Sequence, residues 1–293
     1  MATQNYRAPK LIGGKMIKKR KRLIILSIIG IIILAGAVLF VRSPIGIALL
    51  KSKKHFKTSA VDERVRYEPG AEEFADKMAR CLPEAVLTVE NGHFLPFKKP
   101  FKIYVCATQK SLNEFLANPP GAAPRGAAAM GDVYIGPRAF SFFGYDTHKE
   151  SLMHELSHLH LKQRLGYFGL GMKIKIPVWF SEGLANNIAG SGGEGIEEKE
   201  AIDAILKGKH FVVDENGSFL RPFHKAFSGL SGQMFHKQNK MFVKYIKDSN
   251  PGKYKQFLLE IQKGASFAKS FSTNFGITVN GMFERFKTDI SSY

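Results

Sequence analysis

The sequence predicts an α+β protein: a small N-terminal sheet and a helical C-terminal half, preceded by one transmembrane helix. Three observations predict it. Leu23 to Val41 is a run of 19 uncharged, overwhelmingly apolar residues, close to the roughly 20 that a bilayer-spanning helix needs. Strand-like segments cluster between positions 100 and 136, bounded by Pro and Gly. Around Ser151 to Leu161, and again from Gln233 to the end, apolar residues recur at helical spacing.

These readings divide the chain into a basic cytoplasmic N-terminus (1–22), an anchor (23–42), a stalk (43–60) and one domain (61–293). Residues 1–22 carry eight Lys or Arg and no acid. The apolar run is longer than the core of about 7–15 residues in a cleaved signal, and it has no polar face. A retained anchor is therefore favoured over a removed signal. Five basic residues follow the span against eight before it, so the positive-inside bias puts the short N-terminus in the cytoplasm and the bulk outside it.

The net charge of +18 follows from the same segment. Thirteen of the 43 basic residues and none of the 25 acidic ones lie in residues 1–57, which leaves 30 against 25, a net of +5. The basic balance belongs to membrane topology, and a nucleic-acid partner is not expected.

Within the domain, Val61 to Ala85 has a helical pattern with Phe74, Met78 and Cys81 on one face. Pro100 to Ala107 alternates as a half-buried strand. Gln109 to Asn118 is a short helix ended by Pro119-Pro-Gly121, and Gly126 to Gly136 is a strand pair or one irregular strand. Cys81 and Cys106 are the only cysteines. A disulfide and two buried thiols are both open.

Ser151-Leu-Met-His-Glu-Leu-Ser-His-Leu-His160 is the stretch that carries chemistry. His154, Glu155 and His158 form an H-E-x-x-H pattern. Helical residues four apart share a face, so both imidazoles can reach one metal ion. Glu155, one position on, can take a proton from water activated there. Pro177-Val-Trp-Phe-Ser-Glu182-Gly-Leu-Ala-Asn186 supplies a candidate third ligand. Pro177 suits a helix start, and a carboxylate among apolar neighbours needs a partner. Further on, Ile196 to Lys207 is a helix, Phe211 to Phe219 a small hairpin on Asn216-Gly217, and Phe235, Phe242, Tyr245, Phe257 and Phe267 are core positions.

His154-Glu-x-x-His158 followed by Trp179-Phe-Ser-Glu182-Gly-Leu-Ala resembles the gluzincin metallopeptidases, the clan of thermolysin and aminopeptidase N. It resembles more closely the peptidase-MA-like family of bacterial membrane-associated or secreted proteins. Gln238 to Ile246, Gly264 to Phe271 and Phe275-Gly-Ile277 support the likeness, which covers roughly residues 60–290. It departs in the 23 residues between His158 and Glu182, more than in the best-known members, with the extra length placed at Leu165 to Gly171.

The resemblance implies a zincin-like metallopeptidase domain in which His154, His158 and Glu182 hold Zn2+ and Glu155 is the general base for peptide-bond hydrolysis. The substrate would be a peptide or protein, and the location a bacterial inner membrane with the domain on the periplasmic or extracellular side. Ala127 to Gly131 would be the edge strand that pairs with substrate. His236 is the candidate donor to the oxyanion, with His224 and Tyr245 as competitors. Asn186 stands where thermolysin-like enzymes carry an Asp that orients a ligand His. No acidic motif for an N-terminal amine is recognisable, which favours an endopeptidase slightly. The alternative is a metal-stabilised, membrane-tethered binding or scaffold module without turnover.

Overall fold

The computed structural model describes residues 25–26, 28–34, 38, 48, 50–119, 121–141, 144–166, 175–218 and 223–291. Two compact units are present, Met1–Lys51 and Ser52–Tyr293. The predicted basic N-terminus lies outside the described residues. So does about half of the predicted anchor.

The expected transmembrane helix is corrected by the structure. Among the described residues, no helix is long and apolar enough to cross a membrane. The described helical residues 25–26 and 28–34 are about half the roughly 20 that a span requires. The single-pass membrane location and the membrane as a partner rested on that helix alone. They lose their support with it.

The larger unit mixes helix and sheet. Five strands, β1 (Lys57–Thr58), β2 (Val65–Tyr67), β3 (Ile103–Val105), β4 (Gly126–Ala129) and β5 (Asp132–Ile135), form one sheet in the order β1-β2-β3-β5-β4. The three inner strands are parallel, and β1 and β4 flank them antiparallel. β1 falls inside the segment expected to be a stalk. The hairpin between β4 and β5 turns through Met130 and Gly131, both at positive φ, which matches the right-handed twist of paired strands.

Helix α1 (Glu72–His93) connects β2 to β3, and α2 (Gln109–Leu116) follows β3. The helical pattern expected from Val61 therefore begins eleven residues later in the chain, because Val65–Tyr67 pairs with β3 as a strand. Both cysteines are free thiols. Burial pushes the Cys81 thiol up to about 11.

Further helices are α3 (His148–Leu165), α4 (Val178–Ala189), α5 (Glu198–Leu206), α6 (Gly232–Ser249), α7 (Pro251–Gln262), α8 (Phe267–Phe275) and α9 (Val279–Ile290). The expected hairpin at 211–219 is not formed among its described residues. Its backbone groups have other partners: Phe211 N donates to the Gln238 side chain at 3.3 Å, and Val212 N to Ala226 O at 3.1 Å.

Alternation along the strands gives each face of the sheet its own apolar cluster. Ile103, Val105, Val133 and Ile135 face α1 and α3. Tyr104, Cys106 and Tyr134 face α2 with Leu112, Phe115 and Phe56. A third cluster, rich in Phe, joins α4 to α6, α7, α8 and α9 and contains Phe235, Phe242, Phe257 and Phe267. Helix α3 belongs to two of these clusters. Leu152, Leu156 and Leu159 pack under the sheet, whereas Leu161 and Leu165 join the helical cluster.

Glu68 ties the sheet to what surrounds it. Its carboxylate accepts from Ala107 N at 2.9 Å, Ser111 Oγ at 2.5 Å and the exposed His55 ring at 3.0 Å. Burial raises its pKa, but those bonds outweigh it and leave the net value below the ordinary one. A carboxylate depressed in this way contributes stability above the ordinary glutamate range and loses it as pH falls through the folded value. Glu68→Gln would set an amide donor against donors, at a cost of about 1–3 kcal/mol. Urea unfolding of the variant at pH 7 and pH 4 should show the larger deficit at pH 7.

Candidate metal site

Helix α3 places the H-E-x-x-H residues. Almost everything around them from Ser151 to Leu161 is buried, and His154 and Glu155 are only half-buried. Thus the helix has one narrow polar face. Helix α4 starts directly after Pro177, its N-cap, close to the start the sequence predicts, and buries Trp179 and Phe180 in the aromatic cluster. Its fifth residue, Glu182, then points at α3. Gly183 lets α4 approach α6: a Cβ there would meet Asn239 O at 2.6 Å and Val243 Cγ2 at 2.5 Å.

His154, His158 and Glu182 come together. Their ligand atoms all lie within 4.8 Å of one another. The two Nε2 atoms are 3.1 Å apart. Glu182 Oε2 is 3.4 Å from the His154 nitrogen, and Oε1 is 3.3 Å from the His158 nitrogen. Metal–ligand bonds of about 2.0–2.1 Å at tetrahedral angles put ligand atoms about 3.3 Å apart. The triangle therefore has the dimensions, and the N/N/O donor chemistry, of three ligands around one small divalent cation. This group can hold a metal ion.

Electrostatics inside the triangle agree with the geometry. Burial opposes the Glu182 charge, but His158 and His154 outweigh it and hold the carboxyl well below its ordinary value. Burial likewise lowers the basicity of His154, and the hydrogen bond and charge of Glu182 overcome it and raise the pKa. The Nδ1 atoms of both histidines are buried without a hydrogen-bond partner among the described residues.

Asn186 does not take the role suggested by the resemblance. Its Nδ2 donates to His236 Nδ1 at 3.1 Å and to Asn239 Oδ1 at 3.2 Å, and neither ligand histidine is its partner. The partner it does orient, His236, sits at the site. The His236 ring centre is 6.1 Å from that of His154, and its Nδ1 is 3.8 Å from Glu182 Oε2. Burial pushes its pKa down; Glu182 acts in the opposite direction, and His154 and Arg125 reinforce the fall. Of the two competitors, Tyr245 gives its hydroxyl to Asp289 at 2.6 Å, and His224 lies on the 3-10 turn Phe223–Phe227.

Glu155 Oε2 accepts from Ala128 N at 2.9 Å. Ala128 is on β4, the strand at one end of the sheet order, and its carbonyl accepts from Lys162 Nζ at 2.5 Å. Gly126 packs close by, since a Cβ there would lie 3.3 Å from Glu155 Cγ. The strand expected over Ala127 to Gly131 is thus present as Gly126–Ala129, against the Glu155 carboxylate. The sequence does not point to Lys162, Asn239 or Arg125 at the site. Their neighbours are distant in sequence, and no local pattern marks them.

No family model matches the chain. No curated protein matches it either. Among solved structures, it is similar to yeast LTA4 hydrolase in complex with bestatin, at a TM-score of 0.46 and 10% identity, over 80% of this chain and 37% of that one. The chain spans little more than a third of that protein's length.

Gly183→Ala tests how the third ligand is positioned. The added methyl gains about 1 kcal/mol in helix propensity but strikes backbone, so a net loss of about 1–3 kcal/mol is expected. Denaturant unfolding measures it, and metal affinity should fall in parallel as α4 shifts Glu182.

Proposed function

We propose that the chain is a zinc-dependent peptidase, in which His154, His158 and Glu182 hold Zn2+ and Glu155 is the general base. The observation that carries this reading is the triangle of His154, His158 and Glu182, with Glu155 beside it on the same helix. Three such ligands leave an open position on zinc. When bound, the ion supplies Lewis acidity toward water and toward a peptide carbonyl.

The protein's own groups do the rest. Glu155 takes a proton from the attacking water and passes it to the leaving amine. The Ala128 N–H bond fixes the orientation of its carboxylate. With Nδ1 accepting from Asn186, the neutral His236 ring carries its proton on Nε2, where it can donate to the developing oxyanion. Strand β4 offers the edge along which an extended peptide lies by backbone pairing. Gly126 to Gly131 contains no carboxylate to bind an N-terminal amine, so cleavage within a chain fits better than removal of N-terminal residues.

Two experiments test the proposal. Zinc content of the purified full chain, by elemental mass spectrometry after removal of loosely held metal, should be about one per chain. His154→Ala, His158→Ala and Glu182→Ala should each lose it. Glu155→Gln should retain zinc and lose roughly 100- to 10,000-fold in peptide hydrolysis. A Glu155→Gln protein that holds zinc and keeps full biological activity would instead support the non-catalytic scaffold. A folded chain that takes up no zinc would end the peptidase reading.

A further inference from the structure

Resting on the peptidase reading, we infer that Arg125 forms a carboxylate-binding subsite beside the metal site. The preferred substrates are then peptides with a carboxylate close to the scissile bond. Arg125 immediately precedes β4, and its carbonyl is fixed by Gly136 N at 2.9 Å. The next residue is Gly126, which packs against the Glu155 side chain. A peptide laid along β4 with its reacting carbonyl at Glu155 therefore brings a neighbouring residue to Arg125, whichever way it runs. Successive strand residues are only about 3.3 Å apart.

The guanidinium lies on the Asn186–His236 side of the site, because its partner Glu194 is bonded to Gly192 N, and a Cβ at Gly192 would lie 2.6 Å from Asn186 Cγ. It is the largest side chain that this stretch brings to the site, because Ala127, Ala128 and Ala129 offer only methyl groups to a bound chain. Discrimination along the strand thus falls to its first end. Glu194 stands 3.6 Å from Arg125 Nη1, beyond hydrogen-bond length, and Glu194 Oε1 is bonded to Gly192 N at 3.0 Å. Its loop packs on α6, since a Cβ at Gly193 would meet Lys237 Cβ at 2.4 Å. Glu194 is therefore held in place as a counter-charge. An arginine presents five N–H donors in a planar fork, so an incoming carboxylate can join Glu194 on the same group.

The carboxylate has two sources, an acidic side chain or a C-terminus, and the test separates them. One peptide scaffold is made with Glu or Gln at each position flanking the cleaved bond, amidated at its end, and again with Gln throughout and a free C-terminal carboxylate. The zinc-loaded full chain is expected to prefer the carboxylate-bearing member of one series by roughly 10- to 100-fold in kcat/KM. Arg125→Gln should collapse that ratio toward one. Arg125→Lys should recover part of it, since the charge remains without the fork. Glu194→Gln should raise it, because the competing carboxylate is gone. A second readout is the Kd of the same peptides for zinc-loaded Glu155→Gln protein, which should weaken about 10-fold or more for the acidic peptide when Arg125→Gln is added. Wild-type protein that cleaves acidic and neutral peptides alike overturns the subsite and leaves the peptidase standing. So does an Arg125→Gln variant that lowers both equally. If a zinc-loaded chain neither cleaves nor binds any of the peptides, the peptidase reading and the subsite fall together.

Discussion

Helix α3 is packed from two sides, and everything at the site depends on that. Its early leucines lie under the sheet and its last ones enter the Phe-rich cluster, so between Ser151 and Leu161 water reaches only His154 and Glu155. Polar groups on such a helix must find partners inside the protein or keep to the part that water reaches. Gln163, Ser157 and His160 find such partners. Gln163 accepts from Lys98 N and Lys99 N and donates to Lys99 O, all at 2.9 Å. Ser157 meets His93 and His160 meets Leu95 O, each at 2.8 Å. These bonds stop the helix from rolling, and the direction of the histidine pair is fixed as a result.

The second wall of the site is set by a contact of a different kind. Gly183 and Asn239 bring α4 and α6 to backbone distance, and three asparagines then lock the pair. Asn187 donates to Lys240 O at 2.9 Å, while Asn186 links Asn239 to His236. Glu182 and His236 therefore keep their separation through the helices that carry them, without a bond between the two side chains shorter than 3.8 Å.

The parts of this arrangement that were legible in the sequence are those governed by spacing within one element. His154 and His158 share a face because a helix repeats every 3.6 residues, and Pro177 marks the start of α4 as its N-cap, where its missing N–H costs no helical bond. Of the sheet's inner strands, β3 showed through its alternation. What was not legible depends on partners far along the chain. Asn216-Gly217 is a hairpin signal, yet the backbone at Phe211 is claimed by Gln238 from another helix. Val65–Tyr67 has a helical apolar pattern and becomes a strand because β3 is its neighbour. Arg125 and Glu194 meet across 69 positions, and Ala128 meets Glu155 across 27. The 19-residue apolar run misled for another reason: its length, hydropathy and flanking charge are all local features, and the described part of it forms no helix of spanning length.

The division of the ligands between α3 and α4 has a thermodynamic consequence. An ion held by His154, His158 and Glu182 would be a crosslink between two helices joined by a connection of twelve residues, and would bind only with both in place. Occupancy therefore adds its mass-action free energy to the native state as a whole. Because α3 is shared between the sheet cluster and the Phe-rich one, neither half can open locally without breaking the coordination. The metal would turn two packing units into one cooperative one, and slow amide exchange in both halves at once would be its signature.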